Sequence, residues 1–388
     1  MIPTFEFVLP TTIEFGVGVT SNIIHALDQE RAKTVMVVSD KTLCDLGMID
    51  PIVNMLKENK ITYYVWNDIR PNPLSTQVTA CGRMCREKFV DAIIAVGGGS
   101  SMDCAKGAAL IATNGGDITD YLELRGAYKQ SIEKPLLPLI AVPTTSGTGS
   151  EVTECMVIVD TLDRKDIVYD TRVAPKYAFV DPAMTFNCPR NVTANTGLDV
   201  LGHALEAYCS RLENKIADQL GLEAIKLVFK WLPRAVEGDE EARIHMSLAS
   251  MYAGIAQSKN SCILPHAISN PLSAHHGIPH GLGVGVAQVP TIELLKDTIP
   301  WKYKEVMDYI EGGSVDEADS ANRLIEKIRK LLADCGIPEK LHISDITEAQ
   351  LESYAEEDLL DLTDLDPCPK QPVTYDNLLD IYHQIIEL

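Results

Sequence analysis

The chain has 388 residues, 46% of them hydrophobic and 23% charged, a length and balance that fit a soluble protein of two domains. Its formal net charge of −21 argues against nucleic acid or an anionic membrane as partner, because both need a positive surface. No window approaches the roughly 20 unbroken apolar residues of a membrane span. The start, Met1-Ile2-Pro3-Thr4, lacks the basic and apolar regions of a secretory signal, so a cytoplasmic protein with ten reduced cysteines is expected.

In chain order, the first half alternates short β-branched runs with helical stretches, which predicts a parallel sheet covered by helices. Residues 34–40 read as an apolar strand ending in Asp40, and residues 61–66 as a second. Residues 92–96 are a third strand and run straight into Gly97-Gly98-Gly99-Ser100-Ser101. Residues 136–142 are a fourth, followed by Pro143-Thr144-Thr145-Ser146-Gly147-Thr148, and residues 152–159 and 177–180 complete the β-rich part. From about Asn191 the apolar spacing becomes helical, for example over 217–232 and 321–335. The expected domains are therefore 1–186, α/β and dinucleotide-binding, and 187–388, helical. The acidic stretch 348–366 reads as a solvated helical face with its connecting loop.

Gly97, Gly98 and Gly99 lie where a buried strand gives way to a helix. Glycines let the backbone approach an anion, and a helix N-terminus offers amide hydrogens and a positive dipole end. Ser100 or Ser101 is expected to cap the helix and donate to phosphate. The run is neither GxGxxG nor a P-loop, but its place at the carboxyl end of a strand points to a nucleotide pyrophosphate. Asp40, ending the earlier strand, can accept from both hydroxyls of an adenosine ribose and would repel a 2′-phosphate, favouring NAD over NADP. It can equally cap the helix that starts at Lys41, and the two roles are compatible. The hydroxyl-rich segment from Thr144 to Thr148 suits the wall of the same site.

Asp199 and His203 are four apart in a helical segment, which stacks them on one face. Four of the nine histidines, His266, His275, His276 and His280, fall within fifteen residues that carry no charged neighbour, and the stretch between His266 and His280 reads as a loop. Three imidazoles and one carboxylate suit Fe(II) or Zn(II) with room for a substrate oxygen. The expected ligands are Asp199, His203, His266 and His280. Cys209 reads as a small core residue.

Ile13-Glu14-Phe15-Gly16, Pro71-Asn72-Pro73, GGGSSMDCAK, PTTSGTGSEVT, TGLDVLGHALEAY and PHGLG together resemble the iron-containing (group III) alcohol dehydrogenases over essentially the whole chain. The resemblance implies a Rossmann-like α/β domain followed by an all-α domain, an architecture shared with dehydroquinate synthase. It also implies that metal and nicotinamide meet in a cleft. It places metal ligands at the same four residues and cofactor contacts at Asp40, Asn72, Gly98, Gly99, Ser100, Thr144, Thr145 and Thr148, with Lys165 added across a one-residue slip in alignment. The implied chemistry is hydride transfer between NAD(H) and a carbonyl polarised by the cation. A homodimer or higher homo-oligomer is implied as well.

The departures from this family bear on substrate. Where relatives carry a proton-transferring histidine, four residues after the third ligand, this chain has Asn270, so His275, His276, a bound water or the ribose hydroxyls must supply the proton, with a relay through water favoured. His276 is the side-chain candidate, and His280 borders the reacting centre. Gln257 replaces a pocket phenylalanine, and Lys259 and Asn260 replace small or amide residues, which suits a short aldehyde with a polar or anionic head. Sulfoacetaldehyde, reduced to isethionate, is the leading case. Oxidation of lactaldehyde-type substrates, diols or simple primary alcohols is the alternative, and a dehydroquinate synthase-like lyase a more distant one.

Overall fold

The computed structural model describes residues 4–161, 164–361, 367–370 and 372–387. By internal contacts the chain divides into two compact units, Val8–Cys188 and a second made of Met1–Phe7 with Pro189–Leu388.

In the first unit the strands are β1 (Thr12–Phe15), β2 (Thr34–Val38), β3 (Thr62–Trp66), β4 (Ala92–Gly97), β5 (Leu139–Pro143), β6 (Cys155–Val159), β7 (Lys165–Tyr169) and β8 (Tyr177–Val180). Six of them form one parallel sheet in the order β1-β8-β5-β4-β2-β3. The helices are α1 (Ile23–Gln29), α2 (Lys41–Asp45), α3 (Asp50–Glu58), α4 (Ser75–Glu87) and α5 (Gly99–Asn114). All six residues of β4 are buried, as expected for a central parallel strand with both faces covered. Its side chains alternate between two cores. Ile93 and Ala95 join Val78, Cys81 and Ala108 of α4 and α5, while Ile94 and Val96 join Ile23, Leu27, Ile52 and Leu56 of α1 and α3. Strand order reverses between β2 and β4, so their carboxyl ends border the crevice where such sheets bind ligands.

Two strands carry too weak an apolar signal to be read from sequence. β1 is a four-residue edge paired with β8, and β7, opening on Lys165-Asp166, is half-exposed and pairs antiparallel with β6. Conversely, residues 152–154 are not strand. Ser150–Val152 forms a 3-10 turn, and β6 begins at Cys155.

The second unit is helical: α6 (Arg190–Cys209), α7 (Lys215–Val236), α8 (Glu240–Asn260), α9 (Leu264–His276), α10 (His280–Leu295), α11 (Pro300–Glu311), α12 (Glu317–Asp334), α13 (Glu348–Asp361) and α14 (Tyr375–Ile385). A two-residue parallel pair, Leu341–His342 with Ile386–Glu387, is a small addition to the all-helical expectation. α6 is buried nearly all round and packs against α7, α8 and α10. The expected loop between His266 and His280 is instead mostly α9. Pro265 sits in its first turn, where no amide hydrogen is needed, Pro271 is accommodated inside, and Gly277 at φ 64° ends it. Of the acidic stretch 348–366, residues 348–361 form α13, which buries Leu351, Tyr354, Ala355 and Asp358, and residues 362–366 lie outside the described residues. No helix among the described residues is long and apolar enough to cross a membrane.

Candidate functional site

Within the helical unit, α6, α9 and α10 bring the four expected metal-binding side chains together. The ring centroids of His203 and His266 are 4.6 Å apart, and those of His266 and His280 are 5.2 Å apart. Donor atoms of Asp199, His266 and His280 all lie within 4.8 Å of one another. Close approach of α10 to α6 depends on Gly281, where a Cβ would fall 2.1 Å from the Asn195 carbonyl oxygen and 2.9 Å from the Asp199 Cβ.

The chemistry of this cluster fits a divalent cation. Asp199 Oδ1 and His266 Nε2 are buried without a hydrogen-bond partner and stand 3.8 Å apart. Each such group costs about 1–3 kcal/mol when buried unsatisfied, and a cation between them would remove that cost. Burial disfavours protonation of His266, yet Cys262 and Glu206 hold its pKa well above the ordinary histidine value, so the local field accepts positive charge.

A supporting layer fixes the rings. His266 Nδ1 lies 2.8 Å from Glu206 Oε1, whose carboxylate also accepts from the Ile263 amide at 2.9 Å and from Gln288 Nε2 at 3.0 Å. A proton held at Nδ1 leaves the Nε2 lone pair directed at Asp199. Ser269 Oγ lies 3.0 Å from His280 Nδ1 and donates to the His280 carbonyl at 2.8 Å. Glu206, Gln288 and Ser269 are not among the residues expected from the sequence. The spacing Asp199, His203, Glu206, at i, i+4 and i+7, was the available signal for the first.

Several expected residues do not join the cluster. His276 stands ten residues beyond His266, roughly 15 Å along a helix. Its Nε2 pairs with the Tyr354 hydroxyl at 2.8 Å and its Nδ1 lies 3.6 Å from Asp345, while His275 stacks on the Tyr354 ring. Asn260 is fully buried and structural, accepting from the Asn214 amide and donating to Asp218. Lys259 Nζ lies 6.0 Å from the centroid of the Phe7 ring. Lys259, two steps past Gln257, leaves its helical face, whereas Asn260, three steps past and on the same side, is held instead by Asn214 and Asp218. Gln257 itself stays close, with its Oε1 accepting from Cys262 Sγ at 3.8 Å. Asn270 follows His266 by one turn of α9 and is half-buried.

In the α/β unit the expected nucleotide residues converge at the carboxyl ends of β2 and β4. Gly97 has φ 153°, and a Cβ there would fall 2.4 Å from Ser101 Oγ. Gly98 and Gly99 lie directly against Thr145 and Thr148, and the Thr144 amide donates to the Gly97 carbonyl at 3.0 Å. The serines do not cap α5 as expected. Gly98 occupies the cap position without a side-chain bond, Ser100 Oγ accepts from the Asn72 amide at 3.2 Å, and Ser101 is buried beneath Gly97. An uncapped first turn without acidic residues suits an anion. Asp40 Oδ1 caps α2 through the Leu43 amide at 2.9 Å. Lys165 opens β7 opposite Val159, whose amide donates to the Pro73 carbonyl beside Asn72.

The polar network behind this loop likewise lies outside the sequence expectation. Lys106 is fully buried and donates from Nζ to Ser150 Oγ at 2.9 Å and to the Cys155 carbonyl at 2.7 Å. Asp103 accepts from Ser150 Oγ and the Val157 amide. Burial pushes the Asp103 pKa up and the Lys106 pKa down, each opposed by the other's charge at 3.9 Å.

A glycine-rich α/β nucleotide fold with a three-histidine, one-carboxylate cluster in a helical part defines a metal-dependent, nucleotide-linked oxidoreductase. Residues 10–182 match the family model "Iron-containing alcohol dehydrogenase", and residues 193–386 match "Fe-containing alcohol dehydrogenase family, C-terminal". The chain belongs to the iron-containing alcohol dehydrogenase family, whose members work with NAD(H) and a divalent metal, typically iron. It is 33% identical over 357 residues to long-chain-alcohol dehydrogenase 1 of Geobacillus thermodenitrificans, covering 91% of this chain and 89% of that protein. It is 32% identical over 367 residues to 1,3-propanediol dehydrogenase of Citrobacter freundii, covering 92% and 93%. Among solved structures, the sulfoacetaldehyde reductase from Bifidobacterium kashiwanohense in complex with NAD+ superimposes with a TM-score of 0.88 at 32% identity, covering 98% of each chain.

Proposed function

We propose that this enzyme transfers hydride between NAD(H) and a short aldehyde whose carbonyl stands beside a polar or anionic head group, with sulfoacetaldehyde to isethionate as the leading case. Gln257 carries the reading: its half-buried amide lies 3.8 Å from Cys262 Sγ, a neighbour of His203 and His266. An amide in that position offers both a donor and an acceptor to a polar head. The likeness to a sulfoacetaldehyde reductase supports the anionic case. The positions of Lys259 and Asn260, away from the cluster, favour a second reading in which the head is a neutral hydroxyl, as in a diol, and the likeness to 1,3-propanediol dehydrogenase supports that one.

Asp199, His203, His266 and His280 would hold the cation, which supplies a Lewis acid to polarise the carbonyl oxygen. Glu206 keeps the His266 proton on Nδ1, and Ser269 orients His280. Asn270 cannot deliver a proton near neutral pH, and His275 and His276 are engaged at Tyr354, which favours a relay through water or the ribose hydroxyls. On the nucleotide side, the amides following Gly98 would take the pyrophosphate, walled by Thr144, Thr145 and Thr148, and Asp40 would take the ribose.

The test is NADH oxidation with sulfoacetaldehyde, 3-hydroxypropionaldehyde and propionaldehyde, for wild type and Gln257→Phe. Wild type should favour a polar-headed substrate in kcat/KM by at least tenfold, and Gln257→Phe should erase most of that margin. Preference of the wild type for propionaldehyde would refute both readings.

A further inference from the structure

We propose that Cys262 is a sulfur donor to the metal centre, forming with His203 and His266 a second donor trio that overlaps the one formed by Asp199, His266 and His280. The proposal rests on the metal-site reading above. In each trio the donor atoms lie within 4.8 Å of one another, and His266 belongs to both. A tetrahedral ion with bonds of 2.0–2.3 Å holds its donors roughly 3.3–3.8 Å apart, so modest side-chain rotations bring either trio onto one ion.

Cys262 does not reach this position by belonging to a helix face. It lies in the three-residue link between α8 and α9, and that link is fixed on both sides. Ser261 turns the chain at φ 62°, and the Ile263 amide donates to Glu206 Oε2 at 2.9 Å. Between these anchors Sγ projects toward the imidazoles while donating to Gln257 Oε1. An independent mark of a cation site adjoins it: Asp199, its side chain 4% exposed, directs an unpartnered Oδ1 at His266 Nε2 from 3.8 Å.

Ligation replaces the Cys262 S–H bond with a sulfur–metal bond and sends the proton to solvent, with no change of oxidation state. Thiolate and Asp199 carboxylate together balance the charge of a dication. Sulfur adds soft character to an otherwise N/O donor set, which suits zinc or cobalt more than the N/O set alone.

The experiment uses the full-length protein stripped of metal and reloaded with Co(II). Wild type should show visible ligand-field bands and, in addition, a near-ultraviolet sulfur-to-cobalt charge-transfer band. Cys262→Ser and Cys262→Leu should keep the visible bands, lose the near-ultraviolet band and release about one proton fewer per ion bound. Visible bands in wild type without charge transfer, or charge transfer that survives in both variants, would overturn the proposal and leave the metal site standing. Failure of wild type to take up cobalt at all would overturn the metal-site reading and the sulfur donor with it.

Discussion

Replacing Glu206 with glutamine changes one oxygen to an amide nitrogen at nearly constant volume, and the consequences follow from its three donors. Oε1 takes the His266 Nδ1 proton and Gln288, and Oε2 takes the Ile263 amide. A glutamine whose oxygen faces His266 must point its NH2 at the Ile263 N–H, leaving buried donors unsatisfied at about 1–3 kcal/mol. The opposite orientation faces NH2 to His266 and drives its proton to Nε2, the atom directed at Asp199, where a lone pair is needed for ligation. Either arrangement also removes a full negative charge beside the cluster. Loss of such a supporting partner typically weakens metal binding 10–100-fold, or about 1.4–2.7 kcal/mol. Competition for zinc against a chromophoric chelator, with wild type and Glu206→Gln compared at one pH, measures the effect directly. Affinities within twofold of each other, in a variant with unaltered circular dichroism, would refute the reasoning that Glu206 sets the His266 tautomer.

Gly97→Ala should raise the Kd for NADH at least tenfold and leave zinc affinity unchanged, because the added methyl meets Ser101 under the nucleotide loop of the other unit; NADH fluorescence titration checks it, and an unchanged Kd refutes it. Glu151 makes a pH prediction. Burial pushes its pKa from the ordinary 4.5 up to about 7, so the folded state holds a proton that the unfolded state has lost. Its contribution to stability is complete below pH 4.5 and is lost as pH rises to 7, an effect on the order of 3 kcal/mol. Glu151→Gln should therefore gain stability over wild type between pH 5 and pH 8 in urea unfolding, and a gap that stays constant with pH refutes the assignment.

The parts of the fold that could be read from sequence are those where burial leaves a dense local mark. β2, β4 and β5 are apolar on both faces, and the glycine run after β4 stands at the carboxyl end of a strand in an α/β sheet, where nucleotides bind. β7 is hidden because polarity does not follow its alternating burial: Asp166 is buried while Ile167 and Tyr169 are exposed. α9 reads as a loop because two prolines and a histidine cluster look like breakers, although Pro265 occupies the turn where proline is tolerated. The four expected ligands are legible as residue types, Asp199 and His203 by helical spacing and His266 and His280 by their place in a histidine cluster, but their neighbours are not. Gln257 and Asn260 differ by three positions, yet one borders the cluster and the other is consumed by Asn214 and Asp218. Which of them faces the centre depends on how α8 packs against α7, and no local pattern carries that information.

The same packing gives the centre an electrostatic character that its ligand list alone does not. His266 is the third residue of α9 and His280 the first of α10, and neither helix has a side-chain cap. Two helix N-termini, each with a partial positive charge of roughly half an elementary charge, therefore approach the cluster. They oppose a bound cation, and Asp199 and the buried Glu206 offset that opposition. The balance shifts once an oxygen in the site gains negative charge, because both helix ends then attract it at no cost of reorganisation. An anionic head group gains from the same field without Lys259. The helix termini thus favour an anionic head group without Lys259, and the comparison of sulfoacetaldehyde with 3-hydroxypropionaldehyde separates that reading from the neutral-hydroxyl one. A preference for the charged substrate that shrinks with added salt would mark the field as its source, whereas a salt-independent preference would assign it to the short-range contact with Gln257.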